Sequence, residues 1–131
     1  MNPTHRDHPA HESRQSLWWL IVSPAIWAAH FLLSYITAAI WCAKYAGAGG
    51  ALGGVRVAIA LYTAVALVGI GLNGWSGLRR HRHGSGTIPH DSDTPEDRHR
   101  FLGFATLLLA ALSAVATGFV ASVVLFFKDC Q

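Results

Sequence analysis

Long apolar stretches alternate with polar segments along the chain, and they cover residues 17–43, 55–78 and 101–127. The first and third contain no charged residue, and the second contains only Arg56, at its start. About 20 consecutive apolar residues suffice to cross the hydrocarbon core of a bilayer as an α-helix. We therefore predict an all-α fold, an integral membrane bundle of three transmembrane helices.

The polar segments fit this architecture. Residues 1–16 bury no apolar surface and are predicted to form a flexible tail, and residues 79–100 are predicted to form a polar loop. Residues 17–131 then make up one membrane domain. The sequence Thr94-Pro95-Glu96-Asp97 has the pattern of a helix start, with an N-cap, a proline at the first position and acids in the first turn. We expect the third helix to begin there, ahead of its apolar part.

Composition agrees with a membrane protein, since 52% of the 131 residues are hydrophobic and only 13% are charged. The first apolar stretch begins after a polar tail and is too long for the apolar part of a signal peptide, so we expect it to be retained as a span. The net charge of +3 gives little reason to expect nucleic-acid binding.

Basic residues lie mostly on one side of the predicted spans. They are Arg6, Arg14, Arg79, Arg80, Arg82, Arg98 and Arg100, against Lys44, Lys128 and the nearby Arg56 on the other side. Positively charged loops stay in the cytoplasm, so the N-terminus is predicted to be cytoplasmic and the C-terminus to lie outside. Arg79, Arg80 and Arg82 are expected to contact anionic lipid headgroups.

Two helix faces are predicted to contact partner subunits. The polar stripe of the first span follows steps of three and four residues through Ser23, Trp27, His30, Ser34, Thr37 and Trp41. Polar groups inside a bilayer need hydrogen-bonding partners, so this stripe should meet protein and not lipid. The third span carries a face of small side chains, on which helix backbones approach closely: Gly103, Thr106, Ala110, Ser113, Thr117 and Ala121. A second register repeats small residues at Ala114, Gly118 and Ser122.

His30 is the only histidine inside a predicted span, and three interpretations are open. The neutral imidazole could hydrogen-bond to Ser34 or to Thr63 on the next helix. It could contact a partner subunit. It could also ligate haem iron, although a bis-histidine site would need its second ligand from another chain.

Cys42 and Cys130 fall at the outer ends of the first and third spans under the predicted topology. In an oxidising compartment they would form a disulfide that closes a long loop. Two separate buried thiols and a copper-binding pair are the alternatives.

No catalytic or metal site is predicted, and we expect no enzymatic activity. Every Asp and Glu lies in a tail or loop, and the glycine-rich segment 44–54 lacks the residues of a phosphate-binding loop. The polar loop carries possible metal ligands whose spacing matches no defined site, namely His81, His83, His90, His99, Asp91 and Asp93.

The first span resembles a known group of proteins. The pattern is Ser23-Pro24-x-x-Trp27-x-x-His30-Phe31, followed by Tyr35 and by Trp41-Cys42-Ala43-Lys44. It is similar to small multi-span membrane proteins of Proteobacteria that are encoded beside cytochrome c oxidase subunits and their copper-insertion factor. The resemblance implies a non-catalytic accessory subunit or assembly factor of a haem–copper oxidase in the bacterial inner membrane, with His30 and Trp27 in docking.

Two other functions are compatible with the residues. One is a small haem-binding electron-transfer membrane protein that uses His30. The other is an oligomeric carrier or channel, although the spans lack the repeated charges that usually line an ion path. In either case the chain would contact membrane lipids and either other membrane subunits or further copies of itself.

Overall fold

The computed structural model describes residues 9–46, 51–83, 95–126 and 130. Within them lie three long α-helices, α1 (Pro9–Trp41), α2 (Gly53–His83) and α3 (Pro95–Phe126), and a π-helical turn (Cys42–Ala46) continues α1. Each contains a stretch long and apolar enough to cross a membrane: Leu17–Tyr45, Gly53–Arg82 and Arg100–Phe126. The all-helical architecture with three such helices is confirmed, and it indicates a multi-pass membrane protein.

Helix bounds differ from the predictions at the polar ends. α1 begins at Pro9, so the predicted tail is helical over its second half. A proline is well suited to the first position of a helix, because its missing N–H would have no partner there. α2 continues beyond the apolar stretch to His83, and α3 begins at Pro95, as the helix-start pattern predicts. Residues 1–8 and 84–94 of the predicted tail and loop lie outside the described residues.

The helices alternate in direction. His30 contacts Thr63 and Ser23 contacts Asn73, so residue numbers rise on α1 as they fall on α2, and the two helices are antiparallel. α2 and α3 are antiparallel as well, since Gly77 lies against Gly103 and Arg56 contacts Leu125. The ends of the bundle are called here the arginine end, with Arg79 to Arg82 and Arg100, and the disulfide end, with Cys42 and Cys130.

α2 and α3 approach each other most closely at glycines. A Cβ atom built on Gly77 would lie only 3.0 Å from the Gly103 carbonyl oxygen, and one on Gly74 would lie 3.1 Å from the Ala110 Cβ. Lipid chains are as apolar as the helices, so close van der Waals contact through small residues is a main source of helix association in membranes. The predicted small-residue face of α3 is therefore used inside the chain, against α2.

The disulfide end is apolar and covalently closed. Leu52, Val55 and Ile59 of this end form a buried cluster with Cys130, and Trp41 packs against it. A disulfide joins Cys42 to Cys130, so of the three alternatives for these cysteines the structure contains the bridge.

The guanidinium of Arg56 also lies at the disulfide end, where it donates a 3.1 Å hydrogen bond from Nη2 to the Leu125 carbonyl oxygen in the last turn of α3. Carbonyls in the last turn of a helix lack partners within the helix and carry partial negative charge. Arg56 thus stabilises the end of α3.

Candidate functional site

Polar side chains line the contact between α1 and α2. We call them the buried polar row: Ser23, Trp27, His30 and Ser34 of α1, with Thr63 and Asn73 of α2. The exposed fractions of Ser23, His30 and Ser34 are 0%, 3% and 5%. They lie on one face of α1 because steps of four, three and four residues each return to the same side of the helix.

Asn73 anchors the row toward the arginine end. Its Nδ2 donates to Ser23 Oγ at 2.7 Å and to the Trp19 carbonyl oxygen at 3.1 Å. Asn73 is only 3% exposed, so both bonds form away from solvent. In a bilayer such an interhelical pair contributes about 0.6–2 kcal/mol and fixes the register of two helices that would otherwise slide. The hydropathy pattern alone did not single out Asn73 as an interhelical partner.

His30 occupies the middle of the row, and its hydrogen bond defines its tautomer. The Thr63 hydroxyl donates its one proton to the Ile59 carbonyl oxygen at 2.8 Å. At 3.0 Å from His30 Nε2, the Thr63 oxygen can then only accept, so Nε2 carries the proton. In the neutral imidazole Nδ1 is consequently an unprotonated acceptor. The predicted hydrogen bond to Thr63 is present, whereas Ser34 has no such bond to His30.

Buried polar atoms without a partner are concentrated in the same row. Within the described residues they are Trp27 Nε1, His30 Nδ1, Ser34 Oγ and Asn73 Oδ1. A buried polar group without a hydrogen bond costs about 1–3 kcal/mol, so four of them on one interface are unusual. The site therefore has unused hydrogen-bonding capacity on consecutive turns of α1.

The predicted partner-contact residues need a correction. Most of them are buried inside the chain itself, with exposed fractions of 6% or less: Ser23, His30, Ser34, Thr106, Ala110, Ser113 and Thr117. Their surroundings are other helices of the same chain, and the Thr106 and Thr117 hydroxyls donate to carbonyls of α3 itself. Contacts among the three helices of the chain itself thus cover faces that were assigned to a separate subunit.

The other three predicted contact residues, Trp27, Thr37 and Trp41, are half-buried. Trp41 Nε1 donates to the Ala51 carbonyl oxygen at 3.4 Å, in the connection between α1 and α2. The Trp27 ring begins a row of stacked aromatic rings on the outer surface of α1. Trp27, Phe31 and Tyr35 follow one another at centroid distances of 6.4 Å, and we call them the α1 aromatic face.

The α1 aromatic face is open to the surroundings of the bundle, because Phe31 is 45% and Tyr35 is 66% exposed. Phe31 needs no polar partner there. The Tyr35 hydroxyl does need one, and among the described residues none provides it.

At the arginine end, two arginines lie over tryptophan rings. Arg80 is 5.0 Å from the ring centre of Trp19, and Arg79 is 5.8 Å from that of Trp75. Indole rings and basic side chains are typical of the level of the lipid headgroups. Contact of Arg79, Arg80 and Arg82 with anionic lipid stays a prediction.

Metal and haem binding gain no geometric support from the described part of the chain. It contains no group of three or more His, Cys, Asp or Glu side chains that could hold a metal ion. The side chains of His83, His90, His99, Asp91 and Asp93 lie outside it. Haem ligation by His30 would require separating α1 from α2, because the imidazole is 3% exposed and bonded to Thr63.

No family model, no curated protein and no solved structure matches the chain. The resemblance of residues 23–44 to proteins encoded beside oxidase subunits therefore stays a prediction.

Proposed function

We propose that the chain is a non-catalytic accessory subunit or assembly factor of a respiratory haem–copper oxidase, and that it docks through the α1 aromatic face. One observation carries the docking proposal: an exposed tyrosine hydroxyl at hydrocarbon depth. Water is absent from that region of a bilayer, and an unpaired hydroxyl there is unfavourable. A neighbouring membrane helix would supply the acceptor.

The depth of Tyr35 follows from helix geometry. The apolar part of α1 with its π-helical turn runs from Leu17 to Tyr45, so its midpoint is residue 31. Tyr35 lies four residues farther along, about 6 Å from that midpoint at 1.5 Å per residue. Half of the hydrocarbon core is about 15 Å thick, so a bilayer centred on this midpoint would contain the Tyr35 ring.

The nature of the partner is proposed from the sequence resemblance in the first span. Proteins with that pattern are encoded beside cytochrome c oxidase subunits, and the residues in question form α1. Phe31 and Tyr35, which belong to the pattern, point outward, whereas Ser23 and His30 point inward. The outward members are the ones that a partner subunit would contact.

The test is co-purification from native membranes in mild detergent, followed by mass spectrometry and an absorption spectrum. We expect the natural chain to recover oxidase subunits together with their haem absorption. The Tyr35→Phe variant should recover several-fold less, because it removes the hydroxyl and keeps the ring.

Tyr45→Phe is the matched control. Tyr45 is 73% exposed at the end of the span, where water and headgroups satisfy a hydroxyl. Its variant should recover the partner normally. If the Tyr35→Phe variant recovers as much oxidase as the natural chain does, docking through the Tyr35 hydroxyl is contradicted. If only further copies of the chain are recovered, self-association replaces the oxidase as the proposed interaction.

We also propose that the protein lies in the bacterial inner membrane with the arginine end in the cytoplasm. The excess of Arg and Lys on that side supports this orientation. A periplasm-dependent reporter fused after Gln131 should be active. Activity of a cytosolic reporter at that position would invert the orientation.

A further inference from the structure

We infer that the buried polar row is a binding site for water inside the apolar part of the bundle, with His30 Nδ1 as its central acceptor. Three of its residues are more than nine-tenths buried and each has a polar atom without a partner: His30, Ser34 and Asn73. The indole Nε1 of Trp27 is a fourth such atom. This inference does not depend on the partner proposed above.

The four atoms have complementary hydrogen-bonding character. Trp27 Nε1 only donates, and the Ser34 hydroxyl both donates and accepts. His30 Nδ1 in the assigned tautomer and Asn73 Oδ1 only accept. A water molecule accepts from Trp27 Nε1 and donates to His30 Nδ1. Residues three and four apart on a helix have Cβ atoms about 5–6 Å apart, which suits bridging by one small molecule between consecutive turns.

Size and chemistry favour water over other ligands. The site lies within a helix contact whose side chains are almost fully buried, so an organic ligand or a haem would have to separate the helices. Buried waters typically make about three hydrogen bonds to otherwise unpaired polar groups. No residue of the row carries a formal charge, so an ion would find no counter-charge there.

The row has different surroundings at its two ends. Toward the disulfide end it is followed by the apolar cluster of Leu52, Val55, Ile59 and Cys130, in which water would find no polar partner. Toward the arginine end it ends at Asn73, which bonds the backbone of Trp19, and the Trp19 ring lies beneath Arg80. We therefore expect exchange of the bound water with bulk solvent from the arginine end.

Magic-angle-spinning NMR of the labelled full-length chain in lipid bilayers tests the inference directly. The ¹⁵N shifts of His30 should show a protonated Nε2 and an unprotonated Nδ1. Magnetisation transfer from water should reach Trp27 Nε1, His30 and Asn73 several-fold faster than it reaches Ile59 and Ile70. Those two isoleucines are equally buried on α2 and have no polar atoms in their side chains, which makes them an internal reference.

Two results would overturn the inference: a His30 ring protonated on Nδ1, or water transfer to the row no faster than to Ile59 and Ile70. A variant pair tests the part played by Thr63. Thr63→Ser keeps the acceptor and should keep the Nε2-protonated tautomer, whereas Thr63→Val removes it and should raise the fraction protonated on Nδ1. An unchanged tautomer in Thr63→Val would contradict the role of Thr63 in fixing the proton on Nε2.

Discussion

The two contacts that α2 makes in the bundle are built differently. Against α3 it presents glycines, and the backbones at Gly77 and Gly103 nearly touch. Against α1 it presents Thr63 and Asn73, whose side chains reach polar partners on the other helix. The first contact is close and mainly apolar, and the second is directional and contains unpaired polar atoms.

This difference suggests separate tasks for the two contacts. Close packing of small residues holds helices together in lipid but discriminates weakly between registers, since neighbouring small residues offer similar surfaces. Hydrogen bonds at fixed positions select one register. The α2–α3 contact would then supply cohesion, and the α1–α2 contact would position α1, whose far end is held by the disulfide.

The largest expected effect is that of removing the disulfide. For a loop of 88 residues the chain-entropy account gives about 4.6 kcal/mol, and less where the membrane already restricts the chain. Cys42→Ser should destabilise the attachment of α1 and leave Cys130 reactive toward a membrane-impermeant thiol reagent. Unfolding by detergent titration and thiol labelling measure the two effects. The double variant Cys42→Ser/Cys130→Ser is the control for the free thiol, and unreactive Cys130 would count against the bridge.

The next effect concerns cohesion of α2 with α3. Gly77→Leu forces a side chain into a space where even a Cβ atom is 3.0 Å from a carbonyl oxygen, and overpacking of this kind costs roughly 3 kcal/mol. Gly71→Leu is the matched control, because a Cβ atom there meets nothing within 4 Å. Detergent-induced unfolding followed by circular dichroism measures both. Equal losses in the two variants would show that α2 and α3 do not pack as described.

A smaller effect is expected where α1 meets α2. Asn73→Leu removes the bonds to Ser23 and Trp19, for a loss of about 1–2 kcal/mol. Ser76→Ala is the control on the same helix, since the Ser76 hydroxyl bonds only to the Asn73 carbonyl oxygen of α2 itself. A distance measured between spin labels on α1 and α2 should broaden in Asn73→Leu alone. A sharp, unchanged distance would refute the positioning role.

The smallest effect is expected at the arginine end. Arg80→Gln removes the cation from the Trp19 ring, where such contacts contribute about 0.5–1 kcal/mol at exposed sites. The fluorescence of a variant in which Trp19 is the sole tryptophan should shift when Arg80 is replaced. Arg82→Gln serves as the control, because it changes the net charge by the same amount. An identical fluorescence shift in Arg82→Gln would show that the loss of charge, and not the loss of the ring contact, causes the shift.

The sequence predicted the number of long helices, because apolar runs of this length are typical of membrane-spanning helices. It also selected most of the residues of the polar row, since period 3.6 places them on one face of α1. It assigned most of them to a partner subunit, and only for His30 did it also offer a neighbour within the chain, Thr63 of α2. A periodic polar face on a helix indicates that the face has a partner. The polar residues of α2, above all Asn73, show that this partner lies within the chain. Pairs such as Ser23 with Asn73 and His30 with Thr63 have nearly constant sums of residue numbers, a signal of antiparallel pairing that could have been used.

Other features could not be read from the sequence. Whether the four polar atoms are unpaired depends on the directions of their side chains and on the hydrogen-bonding groups of the neighbouring helix. The hydropathy pattern contains neither kind of information. The outward position of Tyr35 follows from the rotation of α1, which Asn73 and Thr63 fix from α2. α1 begins at Pro9 because the helix formed by the apolar part continues into the polar residues before it. The polar composition of residues 9–16 did not predict this continuation.

The bridge between Cys42 and Cys130 turns the chain from one end of α1 to the far end of α3 into a covalent ring that contains α2. A ribosome releases these segments in order, so the ring cannot close until α3 and Cys130 have been made. Closure would thus record that all three helices have been synthesised. A protease cut between α2 and α3 would leave two fragments that migrate together on a gel until a reductant is added.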